Sequence, residues 1–119
     1  MLRRIAIVNR GESAMRLIHA VRDLNAEHPE AEPLVTIALY TDQERSAMFA
    51  READEAYPLG PASERPYLNH DLLARVLVEA RADAAWVGWG FVAEDAAFAD
   101  LVESLGITFV GPSGEAMRR

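Results

Sequence analysis

The sequence contains no cysteine and no lysine among its 119 residues. Without cysteine, the chain can form no disulfide, no thiolate zinc site and no cysteine nucleophile. Its net charge is −7, so it lacks the clustered basic residues that bind nucleic acid or an anionic membrane surface. No apolar run approaches the roughly 20 residues of a membrane-spanning helix. We therefore expect a cytoplasmic protein whose partners are neither nucleic acid nor membrane.

Short apolar runs rich in Ile and Val alternate along the chain with segments of helical periodicity. The predicted strands are 3–9, 34–41, 55–60 (brief at best), 84–90 and 107–113, and the predicted helices are 12–27, 42–53, 67–82 and 92–106. This order predicts an α/β fold with a parallel sheet of about five strands and helices on both faces. No linker divides residues 1–119, so we expect one domain, with ligands at the carboxyl ends of the strands.

The first strand-to-helix loop lacks the glycines of a dinucleotide-binding site. That site needs G-x-G-x-x-G so that the backbone can approach a pyrophosphate, whereas Gly11 is the one glycine in "NRGES". Asp42 stands where a ribose-binding carboxylate would be, but without the glycines it is better interpreted, with Thr41, as a candidate helix cap.

One face of the first predicted helix is polar, because Arg16, His19 and Asp23 fall within roughly 60° of one another on a helix. Two interpretations remain open for this face. It is either solvated, with a weak contact between His19 and Asp23, or a surface that binds a partner. No second histidine or carboxylate cluster accompanies His19, so we expect no metal site.

The stretch "WVGWGFVAED" follows the fourth predicted strand. Trp86 belongs to that strand and is expected in the core. Trp89 lies between Gly88 and Gly90, which permit a sharp turn and a close approach to a ligand. The ring of Trp89 could be a flat stacking surface or part of the core, and Glu94 suits the start of the next helix.

Five segments in the same order resemble biotin carboxylases, the ATP-grasp components of biotin-dependent acyl-CoA carboxylases. They are "IAIVNRGESAMRLIHAVRDLN" (5–25), "YTDQERSAMFAREADEAYPLG" (40–60), "YLN" (67–69), "GWGFVAED" (88–95) and "FVGPSGEAMR" (109–118). The resemblance implies that residues 1–119 are the N-terminal, Rossmann-like domain of such an enzyme, the pre-ATP-grasp domain, ending before the ATP-grasp region.

The resemblance also implies what the whole enzyme uses. It carboxylates biotin with ATP, bicarbonate and Mg²⁺ or Mn²⁺, as part of an acetyl-CoA, propionyl-CoA or other acyl-CoA carboxylase. Its partners would be the remaining ATP-grasp domains, a biotin carboxyl carrier domain, a carboxyltransferase component and a second copy of the chain.

The resemblance assigns three groups of residues. Gly88, Trp89, Gly90 and Glu94 would belong to the loop that faces biotin and bicarbonate, where Trp89 replaces the family's usual tyrosine and removes its hydroxyl. Asn9, Arg10, Gly11 and Glu12 would shape the first loop and anchor the domain to its neighbours, without a chemical step. Arg16, His19 and Asp23 would lie at a subunit interface.

The family's ATP-binding lysines, glycine-rich lid, metal-binding glutamates and catalytic arginine lie beyond the matched segments. We therefore expect no catalytic residue, no bound cofactor and no ATP-dependent activity in this chain alone. Two alternatives remain: a stand-alone nucleotide-binding module, and an assembly module that docks to other subunits through the first helix.

Overall fold

The computed structural model of the chain describes residues 3–9, 11–66, 69–87 and 96–110. Its five strands form one sheet in the order β3-β2-β1-β4-β5, and every neighbouring pair is parallel. The strands are β1 (Arg4–Ile7), β2 (Val35–Thr41), β3 (Glu55–Gly60), β4 (Ala84–Trp86) and β5 (Thr108–Val110). The predicted α/β class and the parallel sheet are confirmed.

Among the described residues, four α-helices connect and cover the strands: α1 (Gly11–Glu27), α2 (Met48–Glu52), α3 (His70–Glu79) and α4 (Ala96–Ser104). The 3₁₀ turns Asp42–Glu44 and Ala62–Glu64 precede α2 and α3. Within the described ranges, no helix combines the length and the apolar composition needed to cross a bilayer.

Two hydrophobic clusters lie on opposite faces of the sheet, because successive strand side chains point to alternate sides. Ile7 of β1 packs with residues of α1 and α2, including Ile18 and Phe49. Its neighbour Val8 belongs to the other cluster, which contains buried residues of α3 and α4 (Leu73, Val76, Leu77, Phe98 and Val102). Helices therefore cover both faces, as predicted.

The structure corrects two details of the sequence prediction. The single helix predicted over 42–53 is a 3₁₀ turn followed by the short α2, because Ala47 takes an extended conformation (φ −64°, ψ 149°) between them. The segment 55–60 is a full strand, and its Pro58 is tolerated because β3 lies at the sheet edge.

The strand order reverses direction between β1 and β4. The chain leaves β1 into α1 on one face of the sheet and leaves β4 towards α4 on the other. Such a reversal opens a crevice at the carboxyl ends of the two strands, where open α/β sheets bind ligands. We therefore expect a ligand-binding site at this carboxyl rim.

The opposite, amino-terminal rim is held by charged groups. Nη1 and Nη2 of Arg4 donate to both carboxylate oxygens of Glu55 at 2.8 and 2.7 Å, and Nη2 also donates to the Ala80 carbonyl at 2.8 Å. Oδ2 of Asp83 accepts the backbone N–H groups of Arg3 and Arg4. The Arg4 hydrogen bonds lower the pKa of Glu55, and the backbone N–H of Arg4 lowers the pKa of Asp83.

The lowered pKa values at this rim predict that the folded state becomes less stable in acid. Because both carboxyl groups have a lower pKa in the folded state, their contribution is complete above the ordinary values of 4.5 and 3.8. It is lost as the pH falls through the folded pKa values. We expect urea unfolding, measured between pH 7 and pH 3, to show that the free energy of unfolding falls less with decreasing pH in the double variant Glu55→Gln/Asp83→Asn than in the wild type.

The control is Glu12→Gln, which removes the solvent-exposed ion pair of Glu12 with Arg16. Exposed pairs contribute about 0–1 kcal/mol, so this variant should keep the wild-type acid profile. An unchanged acid loss in the double variant would show that the rim carboxylates do not cause it.

The start of α1 depends on a glycine. Gly11 has φ +64°, and a Cβ placed on it would meet no atom within 4 Å. The cost of a side chain there is therefore backbone strain and not steric overlap. We expect Gly11→Ala to lower the free energy of unfolding by about 1–2 kcal/mol, and Gly11→Asn to lower it less, because asparagine tolerates this conformation. Urea titration of both variants measures this, and equal stability of Gly11→Ala and the wild type would contradict it.

Candidate functional site

The residues that directly follow β1 and β4 meet at the carboxyl rim. Val8 extends the pairing of the two strands by one residue, since its N–H donates to the Trp86 carbonyl at 2.9 Å. One residue further, Nδ2 of Asn9 donates to the Val87 carbonyl at 2.8 Å. This side chain joins the first predicted loop, 9–12, to the residue from which the segment 88–95 departs.

The loops after β2 and β3 are joined in a similar way. Both the N–H and Oγ1 of Thr41 donate to Oε1 of Glu44, at 3.0 and 2.9 Å. Oε1 of Gln43 accepts the N–H of Ala62 at 2.9 Å, which ties the two 3₁₀ turns together. Of the two predicted cap residues, Thr41 occupies the capping position, and Asp42 is exposed.

The predicted site residues are only partly within the described structure. Asn9 is half-buried, and Gly11 and Glu12 are exposed at the start of α1. The remaining predicted loop residues lie outside the described residues: Arg10, Gly88, Trp89, Gly90 and Glu94. Their assignment stays a prediction. Trp86, expected in the core, is half-buried and packs against the cluster around Ile7.

The polar face of α1 is solvent-exposed. Arg16, His19 and Asp23 are all exposed, on the side away from the buried Ile18. The prediction of a weak contact between His19 and Asp23 was wrong, because across the described ranges no hydrogen bond or ion pair joins them. Arg16 instead reaches back one turn to Glu12, with 3.0 Å between Nη2 and Oε1. The face is available to a partner, and its role at a subunit interface stays a prediction.

Sequence reasoning missed two contacts at this rim. The partner of Asn9 is 78 residues away in sequence, so no local pattern indicates it. The ring of His70, at the start of α3, lies 5.5 Å from the ring of Phe98 in α4. His70 also borders an open depression of about 460 Å³ with Glu64, Arg65, Asn69 and Asp71.

A second depression, of about 410 Å³, lies between α1 and α2 beside the first loop. Its lining is mostly apolar and includes Met15, the exposed Met48 and the buried Phe49. Over the described part of the chain, no group of three His, Asp or Glu side chains could hold a metal ion. The described part of the rim therefore offers backbone groups and two depressions for contact.

Comparison with known proteins identifies the family. The family described as "Biotin carboxylase, N-terminal domain" matches residues 1–117. The chain is 40% identical to Biotin carboxylase 1 of Bacillus subtilis, over all of this chain and 25% of that protein. It is 35% identical to the biotin carboxylase of Haemophilus influenzae, over 99% of this chain and 25% of that protein.

Solved structures agree with this. A biotin carboxylase complex with "beta-gamma-ATP" from Campylobacter jejuni superposes with a TM-score of 0.86 at 30% identity, over 99% of this chain and 25% of that one. The biotin carboxylase domain dimer of 2-oxoglutarate carboxylase from Hydrogenobacter thermophilus, in complex with MgADP, ADP and bicarbonate, has a TM-score of 0.84 at 36% identity, over 99% and 24%.

The chain spans about a quarter of the length of these relatives. The match runs through both loops of the carboxyl rim and through the whole five-stranded sheet. The chain therefore belongs to the family of biotin carboxylase N-terminal domains.

Proposed function

We propose that residues 1–119 are the N-terminal, Rossmann-like domain of a biotin carboxylase, and that this domain forms one wall of the cleft in which the longer enzyme carboxylates biotin. Family membership over 1–117 supports the proposal. The observation that carries it furthest is the hydrogen bond from Asn9 to the Val87 carbonyl. It joins Asn9 to Val87, the last described residue before the 88–95 segment, at the strand-order reversal, where such sheets bind ligands.

In this proposal the domain orients biotin and keeps water from it, and another part of the enzyme supplies the chemical step. Trp89 presents a flat ring against biotin, Gly88 and Gly90 let the backbone approach closely, and Glu94 supplies a carboxylate. Holding reactants in a dry and fixed geometry is itself a large part of catalysis. Asn9, Arg10, Gly11 and Glu12 shape the first loop beside it.

The nucleotide and the metal belong, in this proposal, to the remainder of the enzyme. The chain contains no lysine, and its described residues form no metal-binding group. Relatives studied with ADP, Mg²⁺ and bicarbonate support their use by the longer enzyme. The isolated chain is accordingly inactive, and ATP, bicarbonate, Mg²⁺ or Mn²⁺ and biotin act only in the longer protein.

The partners follow from the same reasoning. They are the remaining ATP-grasp domains, a biotin carboxyl carrier domain, a carboxyltransferase component and a second copy of the chain. The exposed face of Arg16, His19 and Asp23 is the proposed contact with that copy, and the domain dimer of the Hydrogenobacter relative supports dimerisation. Relatives are named for pyruvate, 2-oxoglutarate and methylcrotonoyl-CoA, so the proposal commits to biotin and leaves the acceptor, an acyl-CoA or another acid, to other components.

The proposal predicts a selective effect of Trp89→Ala in a longer carboxylase that begins with this sequence. Loss of the ring should lower kcat/KM for biotin by up to about tenfold, while the KM for ATP stays at the wild-type value. Trp89→Phe should lose less, because it keeps an aromatic face. Steady-state kinetics with varied biotin and varied ATP separate the two effects.

The matched control is Val78→Ala, an exposed position on α3, which should leave both parameters unchanged. If Trp89→Ala kept the wild-type kinetic parameters for biotin, this would contradict the proposed ligand-facing role of the 88–95 loop. Calorimetry showing tight binding of NAD or ATP to the isolated chain would favour the nucleotide-binding alternative. A changed oligomeric state in Arg16→Glu, together with normal kinetics in Trp89→Ala, would favour the assembly module.

A further inference from the structure

Val87 marks the point at which the chain leaves the sheet. Strand β4 lies between β1 and β5. The N–H of Val87 is directed to the Val110 carbonyl of β5, at 3.4 Å, whereas its carbonyl accepts from Asn9 beyond the end of β1. In a regular strand, the N–H and C=O of one residue point to the same neighbour. The two groups of Val87 point to opposite neighbours, so the backbone turns out of the ladder here.

The buried side chain of Val87 holds the residue in place at the start of this turn. It is 1% exposed and belongs to the cluster under α3 and α4, so the residue cannot rotate freely. What remains to be fixed is the plane of the peptide unit that links Val87 to the next residue. Because a peptide unit is rigid and planar, a hydrogen bond to its carbonyl sets the direction in which the following chain begins.

Asn9 donates that hydrogen bond, and its own backbone lies between two elements of regular structure. It follows Val8, which is itself paired to Trp86, and one residue separates it from the start of α1 at Gly11. Asn9 is half-buried, and the 2.8 Å distance from Nδ2 to the Val87 oxygen is that of a well-formed hydrogen bond. An aspartate of the same shape would place an oxygen against that carbonyl and could not donate.

We propose that Asn9 is a positioning residue that sets the exit direction of the 88–95 loop through the Val87 carbonyl. The effect on the backbone stands on the contacts alone. Its consequence for biotin rests on the proposed function, because it requires that the 88–95 loop faces biotin. Asn9 touches no reactant in this proposal and acts only through the loop.

The chain offers a matched control at the opposite rim. Nδ2 of Asn25 donates to the Leu34 carbonyl at 3.0 Å, and Oδ1 accepts the Leu34 N–H at 2.8 Å. Like Asn9, Asn25 is a half-buried asparagine that tethers backbone near the end of a strand. Asn25→Asp therefore tests the loss of a comparable tether that is remote from the carboxyl rim.

The first experiment uses this chain alone and measures hydrogen–deuterium exchange by mass spectrometry. In Asn9→Asp, peptides covering 86–95 should exchange on the order of tenfold faster than in the wild type, while peptides covering β2 are unchanged. Asn25→Asp should leave 86–95 at the wild-type rate. Asn9→His restores an N–H donor at a similar reach and should recover part of the protection. If Asn9→Asp fails to fold, Asn9→Ala takes its place.

The second experiment uses the longer carboxylase. Asn9→Asp should raise the KM for biotin severalfold with the KM for ATP unchanged, Asn9→His should recover part of the loss, and Asn25→Asp should change neither KM. Wild-type exchange at 86–95 in Asn9→Asp and Asn9→Ala would overturn the proposal whatever the enzyme does.

The remaining outcomes separate the two proposals. Faster exchange with a normal KM for biotin, in an enzyme that Trp89→Ala impairs, would overturn the role of Asn9 in the reaction and leave the proposed function standing. Faster exchange in an enzyme that neither substitution impairs would overturn the proposed function and support the tether itself.

Discussion

The central position of β1 is the constraint on which the rest of the structure depends. It pairs in parallel with β2 on one side and with β4 on the other. Its residues Ala6 and Ile7, which point to opposite faces of the sheet, are buried, and so is the following Val8. A strand buried in this way must be apolar, and helical crossover connections must cover both faces of the sheet. The order reversal, and with it the crevice at the carboxyl rim, follows from this placement.

The two rims of the sheet differ in one respect. The amino-terminal rim contains a charged pair, in which Arg4 donates to both carboxylate oxygens of Glu55. At the carboxyl rim, the side chains of Asn9, Gln43 and Glu44 bond to backbone groups. Side-chain bonds to loop backbone hold a rim in shape without closing it, which suits the edge where an open α/β sheet meets its ligands.

Much of the fold could be predicted because its signals are local. The apolar run at 34–41 and the helical periodicity of 67–82 each indicate burial directly, and the structure contains β2 at Val35–Thr41 and α3 at His70–Glu79. The predictions that failed rested on weak local signals. Ala47 divides the predicted helix 42–53, and the contact expected between His19 and Asp23 does not form, whereas Arg16 pairs with Glu12 one turn away. Short helical segments and exposed side-chain pairs are hard to predict, because the alternatives differ little in free energy.

The sequence by itself determined the alternation of strands and helices, the parallel sheet and the resemblance to biotin carboxylases, because periodicity and ordered motifs are properties of the chain. Only the tertiary structure decided that Asn9 meets Val87, since the two residues are brought together by the adjacency of β1 and β4. A hydrogen bond between groups 78 residues apart has no local signature. It exists because the sheet places the ends of two strands side by side.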